Sequence, residues 1–370
     1  MTILYFSKAS NIGPSSRYRI YQYLPCLASL GIRVSVKPLF GPTYFRLLSW
    51  RNAWLRNLVR SIYVLGRFCG RLSELFSIKR TDLIVVEGQL FPYMGVAFER
   101  MLAKRYTLIV ELDDAIYLTH GHERKMPALL QLSSGAIVGN RTLAEYARTY
   151  TPNVYVVPTV VDTNRFKPSE SRSVPREYSA DEVITIVWMG LDYNVAYLEW
   201  LIPVFRKIQA VQKLRLRVIC GKAPVFDGVD VEFRRWRYET EVDDLQSSDI
   251  GIMPLPNNEW AKGKCGLKLL QYMSVGLPAV ASPIGVNQEI VENGISGFLA
   301  STEEEWYANL IRLCRDVELR ARMGREARKT IVKEYSLAAW APRLAACFQE
   351  IVAKPKAVAI KSVVSGTVRP

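Results

Sequence analysis

Short, almost uninterrupted apolar runs alternate with helix-patterned segments along this chain, and the alternation starts twice. The first series runs through ILYFS at 3–7, IRVSV at 32–36, DLIVVEG at 82–88, YTLIVELDD at 106–114, GAIVGN at 135–140 and VYVVPTVVD at 154–162. Helical patterns lie between them, at 17–30 and in MGVAFERMLAKR and RTLAEYART. Strands that are apolar at nearly every position need both faces covered, which is the signature of a parallel sheet wrapped by helices. A polar break, KPSESRSVPREYSADE at 167–182, reads as a linker. The pattern then restarts with VITIVWMG at 183–190, LRLRVICG at 214–221, VDVEFRRW at 229–236, DIGIMPL at 249–255 and LPAVASP at 277–283. Helices are expected near 194–212, 241–247, 266–275, 286–292, 303–315 and 317–333. The expectation is α/β: a first doubly wound domain over 1–166, the linker, a second over 183–335, a last helix over 336–352 and a disordered basic tail over 353–370. The 370 residues suit two such domains.

Two halves of this kind place a ligand between them, in the loops beyond the carboxyl ends of the strands. Other classes drop out. No run of about 18 apolar residues is present to span a bilayer, and MTILYFSKAS reads as a first strand rather than a secretory leader. That makes the chain cytosolic by expectation. The six cysteines, at 26, 69, 220, 265, 314 and 347, contain no C-x-x-C, and only His120 and His122 represent histidine. Reduced thiols and no metal site are expected. A formal net charge of +14 calls for an anionic partner, but no nucleic-acid module is recognisable.

The richest stretch is 251–300, GIMPLPNNEWAKGKCGLKLLQYMSVGLPAVASPIGVNQEIVENGISGFLA. Its GKCGLKLLQYM sets Gly263, Lys264, Gly266 and Lys268 at the mouth of a helix. Free amides at a helix start, with added ammonium charge, form an anion site. It is not a Walker A loop.

With Pro254, Gly266, Met273, Gly276, Pro278, Ala281, Ser282, Gly285, Glu289, Ile290, Val291, Gly294 and Gly297 in order, the stretch resembles the C-terminal signature of GT-B retaining glycosyltransferases of family 4, glycosyltransferase group 1. The resemblance is strong in the second half and implies two Rossmann-like domains facing a central cleft. It also departs from the family. The acids of the E-x7-E pair fall at Gly263 and Gln271; Gln271 retains hydrogen-bonding capacity for a ribose hydroxyl, whereas Gly263 cannot replace a carboxylate. The family's diphosphate-gripping Arg and Lys are missing from MGLDYNVAYLE, so Lys264 and Lys268 are expected to neutralise the phosphates. A subgroup carrying GKCGxKxLQYM in place of the glutamate pair is the resemblance we adopt.

Further positions follow from it. Gly190 is implied at the diphosphate, and Trp236 and Arg237 near the nucleotide base. In the first domain, NIGPSSRYR occupies the loop after strand one, where Gly13 admits backbone to the ligand and Arg17 and Arg19 are placed to reach phosphate. Where many members carry a histidine near the reacting sugar, this chain has Asp113 and Asp114. One is expected to cap the next helix and the other to orient an acceptor hydroxyl or serve as its base. The last helix is expected to pack back on the first domain.

Segment 43–80 carries eight Lys or Arg against one acid within 38 residues. Drawn as one helix over 46–71, Arg46, Arg56, Arg60, Arg67 and Arg71 share an arc of roughly 80°, as on an interfacial helix facing an anionic leaflet.

The sequence thus points to a cytoplasmic, peripherally membrane-bound enzyme moving a sugar, with retention and without cofactor or metal, from a nucleotide-sugar to a glycan. The acceptor is expected to be polyisoprenyl-linked, in bacterial lipopolysaccharide or other cell-surface polysaccharide synthesis at the inner face of the plasma membrane. Alternatives are a metal-dependent glycosyltransferase using Asp113 and Asp114, and a non-catalytic nucleotide- or glycan-binding relative.

Overall fold

The computed structural model describes residues 1–48, 50, 52–169 and 183–354. Most of the expected linker, 170–182, and the tail from 355 onward lie outside them. The first half contains β1 (Thr2–Ala9), α1 (Pro14–Arg19), α2 (Leu24–Ser29), β2 (Arg33–Phe40), α3 (Pro42–Leu48), α4 (Ala53–Phe76), β3 (Leu83–Glu87), α5 (Ala97–Arg105), β4 (Leu108–Leu112), α6 (Lys125–Leu132), β5 (Gly135–Val138), α7 (Arg141–Arg148) and β6 (Val154–Val156). The second contains β7 (Ile184–Met189), α8 (Ile202–Gln209), β8 (Leu214–Cys220), β9 (Val231–Arg235), α9 (Glu241–Gln246), β10 (Ile250–Met253), α10 (Glu259–Lys262), α11 (Leu267–Ser274), β11 (Ala279–Ala281), α12 (Asn287–Ile290), β12 (Gly297–Leu299), α13 (Glu303–Arg315), α14 (Val317–Glu334) and α15 (Leu337–Ala353).

Each half forms a six-stranded parallel sheet, ordered β2-β1-β3-β4-β5-β6 and β12-β11-β10-β7-β8-β9. The order reverses between β1 and β3 and between β7 and β10. Loops leaving these strands diverge to opposite faces and open the crevices where ligands bind. β3, β4 and β7 are buried along their whole length, as nearly continuous apolar runs require. Ser336 caps α15 by accepting from the Ala339 amide, and Leu344, Phe348 and Ile351 of that helix join Ile3, Tyr5 and Leu27 in the first domain's core.

Two helices expected as continuous are broken. Segment 17–30 divides into α1, a 3-10 turn and α2, with Pro25 at the start of α2; 194–212 opens as a 3-10 stretch, Asp192–Leu201, before α8.

The basic segment differs more. It is not one helix over 46–71: α3 ends at Leu48 and α4 begins after Asn52, whose side chain accepts from the Leu55 amide. Arg46 therefore falls outside the arc, on α3. The arginine face of α4 also turns inward. Arg71 is buried, donates to the Ser7 carbonyl at 3.2 Å and lies over the Phe6 ring, and burial pushes its guanidinium down to about 10. Arg67 donates to the Leu39 and Pro38 carbonyls, both at 2.9 Å, covering the open edge of β2. Arg56 and Arg60 are half-buried, and Arg56 bonds the Trp50 carbonyl.

The opposite face carries Trp54, Leu58, Ile62, Leu65 and Phe76, which share an arc of about 80° at 100° per residue. Trp54, Ile62, Leu65 and Phe76 are 72%, 63%, 66% and 76% exposed. Thus an apolar ridge, not an arginine stripe, meets solvent. Among the described residues no helix is long and apolar enough to cross a membrane.

Candidate active site

On the second-domain side, Gly190 follows β7 at the switch point. A Cβ there would stand 2.6 Å from the Trp188 ring and 3.0 Å from Lys268 Cε, so glycine leaves the room that the lysine stem uses. Gly266 opens α11 at φ +68°, and a Cβ on it would lie 2.3 Å from Ile290 Cδ1. No side chain caps this helix start. Lys268 projects from the first turn, its Nζ 5.3 Å from the Trp188 ring centroid. Burial, and then the charge of Lys264, push its ammonium down to about 8. Lys264 Nζ lies 5.3 Å from the Trp260 centroid and 3.9 Å from Asp114 Oδ1. Two half-buried lysines thus stand together at this helix start, with Asp114 as the acidic partner of Lys264.

On the first-domain side, Asp113 and Asp114 leave β4 in different directions. Asp113 accepts from the Ser15 hydroxyl of α1, whereas Asp114 faces the lysines of the other domain. Neither is a helix cap: Ala115 precedes the short 3-10 turn Ile116–Leu118 and no side chain bonds there. Burial and the neighbouring Asp113 push Asp114 up to about 6, against the pull of Lys264, Lys8 and Lys268. Burial and the Asp113 charge likewise push Glu87 up to about 7, although it accepts from Ser16 Oγ at 2.7 Å and the Lys8 amide at 3.0 Å. Among the described residues no group of three or more His, Cys, Asp or Glu is placed to hold a metal ion.

The loop after β1 is fixed largely by protein. Gly13 is needed because a Cβ would meet that of Ala9 at 2.5 Å. Arg17 donates to the carbonyls of Asn11 and Ile12, and lies over Trp236 at 5.1 Å and Tyr238 at 4.9 Å in the second domain. Arg19 is withdrawn from any phosphate: it is buried, 2.5 Å from Glu111 and bonded to the Val157 carbonyl. Burial pushes the Glu111 carboxyl up to about 8, against the pull of the Arg19 guanidinium beside it.

The domains meet along a seam. Gln271, expected at a ribose, donates to the Tyr18 hydroxyl at 2.9 Å, and Tyr18 reaches Glu241 at 3.4 Å. Glu241 also accepts from Trp236 Nε1 at 2.8 Å and pairs with Arg165 at 2.9 Å. Arg237 is exposed beside them. Farther along, Asn140 donates to the carbonyls of Gly263 at 2.8 Å and Lys264 at 3.2 Å, and Cys265 Sγ donates to the Asp113 carbonyl at 3.0 Å. Gly139 is pressed on this contact: a Cβ there would be 2.3 Å from Cys265 Sγ.

The structure therefore gathers Gly190, Lys264, Gly266, Lys268, Asp113 and Asp114 at one mouth. Gly13 and Arg17 stand beside it, and Trp236, Arg237 and Gln271 lie along the Tyr18–Glu241 seam. Sequence reasoning passed over Lys8, Tyr193 and Tyr197, which feel the Asp114 charge, and the seam residues Tyr18, Asn140 and Glu241. Lys8 had a signal, since it sits at the carboxyl end of the first strand.

Residues 183–316 match the family model described as Glycosyl transferases group 1. A search of the curated proteins finds no match. Sucrose-phosphate synthase from Thermosynechococcus elongatus is 14% identical with a TM-score of 0.68, over 95% of this chain and 99% of that one. Anabaena Alr3699/HepE, solved in complex with UDP-glucose, is 14% identical with a TM-score of 0.65, over 95% and 100%. The lipopolysaccharide outer core galactosyltransferase WaaB, in its apo form, is 13% identical with a TM-score of 0.62, over 95% and 100%.

The class these findings define is the GT-B fold, two α/β domains each built on a parallel six-stranded sheet. Together with the match of residues 183–316 to that family model they support a transferase enzyme.

Proposed function

We propose that this protein transfers a sugar, with retention, from a nucleotide-sugar to a lipid-linked glycan acceptor at the inner face of a bacterial membrane. The observation that carries the reading is the Lys264–Lys268 pair at the uncapped start of α11, packed over Gly190 in the half that matches the family model. The pair and the α11 amides hold the nucleotide diphosphate, where negative charge grows as the glycosidic bond breaks. Gly13 and Arg17 close over the ligand from the first domain, Trp236 and Arg237 frame its base, and Gln271 meets the ribose once Tyr18 releases it. Asp113 orients the acceptor hydroxyl. Domain closure excludes water from the transfer, and no metal enters this scheme. The nucleotide-sugar found with Alr3699/HepE and the lipopolysaccharide named for WaaB favour this donor class and a cell-surface glycan.

The membrane part of the reading rests on the apolar ridge of α4 together with the net charge of +14. The ridge enters the interface while basic residues draw the protein to anionic lipid.

The test is a thermal-shift panel of UDP, GDP, dTDP and CMP, each with magnesium or chelator. At about 100 times Kd the gain is about 2.7 kcal/mol. We expect one nucleotide to stabilise the protein, independently of metal, and the shift to vanish in Lys264→Ala. No shift with any of them refutes the reading; a shift that requires magnesium refutes its metal-free form.

A further inference from the structure

Behind the seam, a crevice of about 600 Å³ opens between the two domains. Asn140 and Cys265, which tie the seam together, also line this crevice. One wall is α7 of the first domain, which presents Arg141, Glu145 and Arg148 on one face at helical spacing. The facing wall is the end of α14 and the start of α15, with Glu334, Tyr335 and Trp340. Glu289 and Ile290 of α12 complete it. Ile290 also backs the loop that carries the two lysines, since a Cβ on Gly266 would lie 2.3 Å from its Cδ1. The lysines themselves are turned elsewhere, Lys264 to Asp114 and Lys268 to Trp188.

The lining suits one kind of ligand. Two guanidiniums and three carboxylates supply donors and acceptors together, without the net positive field that a phosphate needs. The ion pair that crosses the crevice, Arg141 to Glu289, is stretched to 3.9 Å with side chains 80% and 45% exposed. A pair so open is worth little, and both groups can turn to a ligand. Burial pushes the Tyr335 phenol up to about 12, with Glu289 and Glu334 adding to the shift and Arg141 opposing it, which sets its hydroxyl among these three charges. The Trp340 indole is fixed beside it, donating to the Glu334 carbonyl at 2.7 Å. An uncharged molecule with many hydroxyls and an apolar C–H face matches such a lining. Its hydroxyls donate to the carboxylates and accept from the guanidiniums, and its C–H face lies against the aromatic rings.

The geometry points to a second carbohydrate site: the crevice binds a short oligosaccharide, apart from the site of transfer and in contact with both domains. The inference goes beyond the transfer reading and does not rest on it.

The test is a saturation-transfer NMR titration of the full chain with maltose, lactose and N,N′-diacetylchitobiose. We expect at least one of them to bind with a Kd of about 1 mM, as befits an open crevice. Tyr335→Phe should weaken that binding about fivefold, the worth of a neutral hydrogen bond, and Glu334→Gln about tenfold, the worth of one to a charged group. Both variants should keep the Tm of the unaltered protein, and Lys264→Ala should leave saccharide binding as it is. Failure of all three disaccharides to bind overturns the inference. So does binding that Lys264→Ala abolishes and Tyr335→Phe leaves alone, because the sugar then sits in the transfer cleft. Saccharide binding that follows Tyr335 and Glu334, in a protein that no nucleotide stabilises, would sink the transfer reading and leave the crevice site standing.

Discussion

Replacing Lys268 by methionine should make the empty protein more stable and the nucleotide site useless. The structure holds this ammonium at about 8 against an ordinary 10.5, chiefly by burial and then by Lys264. At about 1.4 kcal/mol per pH unit, that difference penalises the charged form by about 3 kcal/mol. The lysine is not wholly enclosed, so we discount the recoverable part to about 2 kcal/mol. Methionine keeps the aliphatic stem against Trp188 and Gly190 while removing the charge. For a domain of this size the gain corresponds to a rise in Tm of about 4–8 °C. The sign with pH is fixed. Below about 8 the lysine is charged in both folded and unfolded chains and the penalty is complete. Between about 8 and 10.5 the folded lysine is neutral while the unfolded one still holds its proton, so the unaltered protein gains stability as pH rises and the difference between the two closes. Affinity for the stabilising nucleotide should drop about 10- to 100-fold, the worth of a charge-assisted hydrogen bond. Differential scanning from pH 6 to 10, with and without nucleotide, reads both effects. A variant that is less stable than the parent at pH 7, or that binds nucleotide unchanged, refutes the electrostatic account of the site.

Two further outcomes test other parts of the molecule. Ile62→Asp with Leu65→Asp on the α4 ridge should weaken sedimentation with phosphatidylglycerol vesicles by about 30-fold or more. Each residue is about two-thirds exposed, and full burial of such a side chain contributes about 1.5–3 kcal/mol. Tm should stay the same, and undiminished pelleting would remove the ridge from the membrane contact. Gly263→Ala should push the domains apart, because its Cβ has only 2.6 Å to Ala115 Cβ. We expect a loss of about 1–3 kcal/mol from overpacking and a larger radius of gyration in solution scattering, and a variant that matches the parent in both would show that the seam is loose.

The sequence by itself determined the two parallel sheets. Strands such as Leu83–Glu87 and Ile184–Met189 are apolar at all but one position, and that pattern has one economical solution, burial on both faces between helices. It also placed Gly266 and Lys268 together at the uncapped start of α11, because these features are local to a few residues. What depended on distant contacts was decided only by the fold. The direction in which a helix presents its faces is one case. The arginines and the apolar residues of α4 are equally amphipathic on paper. The open carbonyls of β2 and Ser7 take Arg67 and Arg71 inward, leaving Trp54, Ile62 and Leu65 outside. Arg19 and Gln271 are others, each claimed by a partner about 90 or 250 residues away. The divergence of Asp113 and Asp114 is the last: adjacent in sequence, they are separated because Ser15 lies in one domain and Lys264 in the other. Periodicity fixes which surfaces must be buried, and only packing decides which partner buries them.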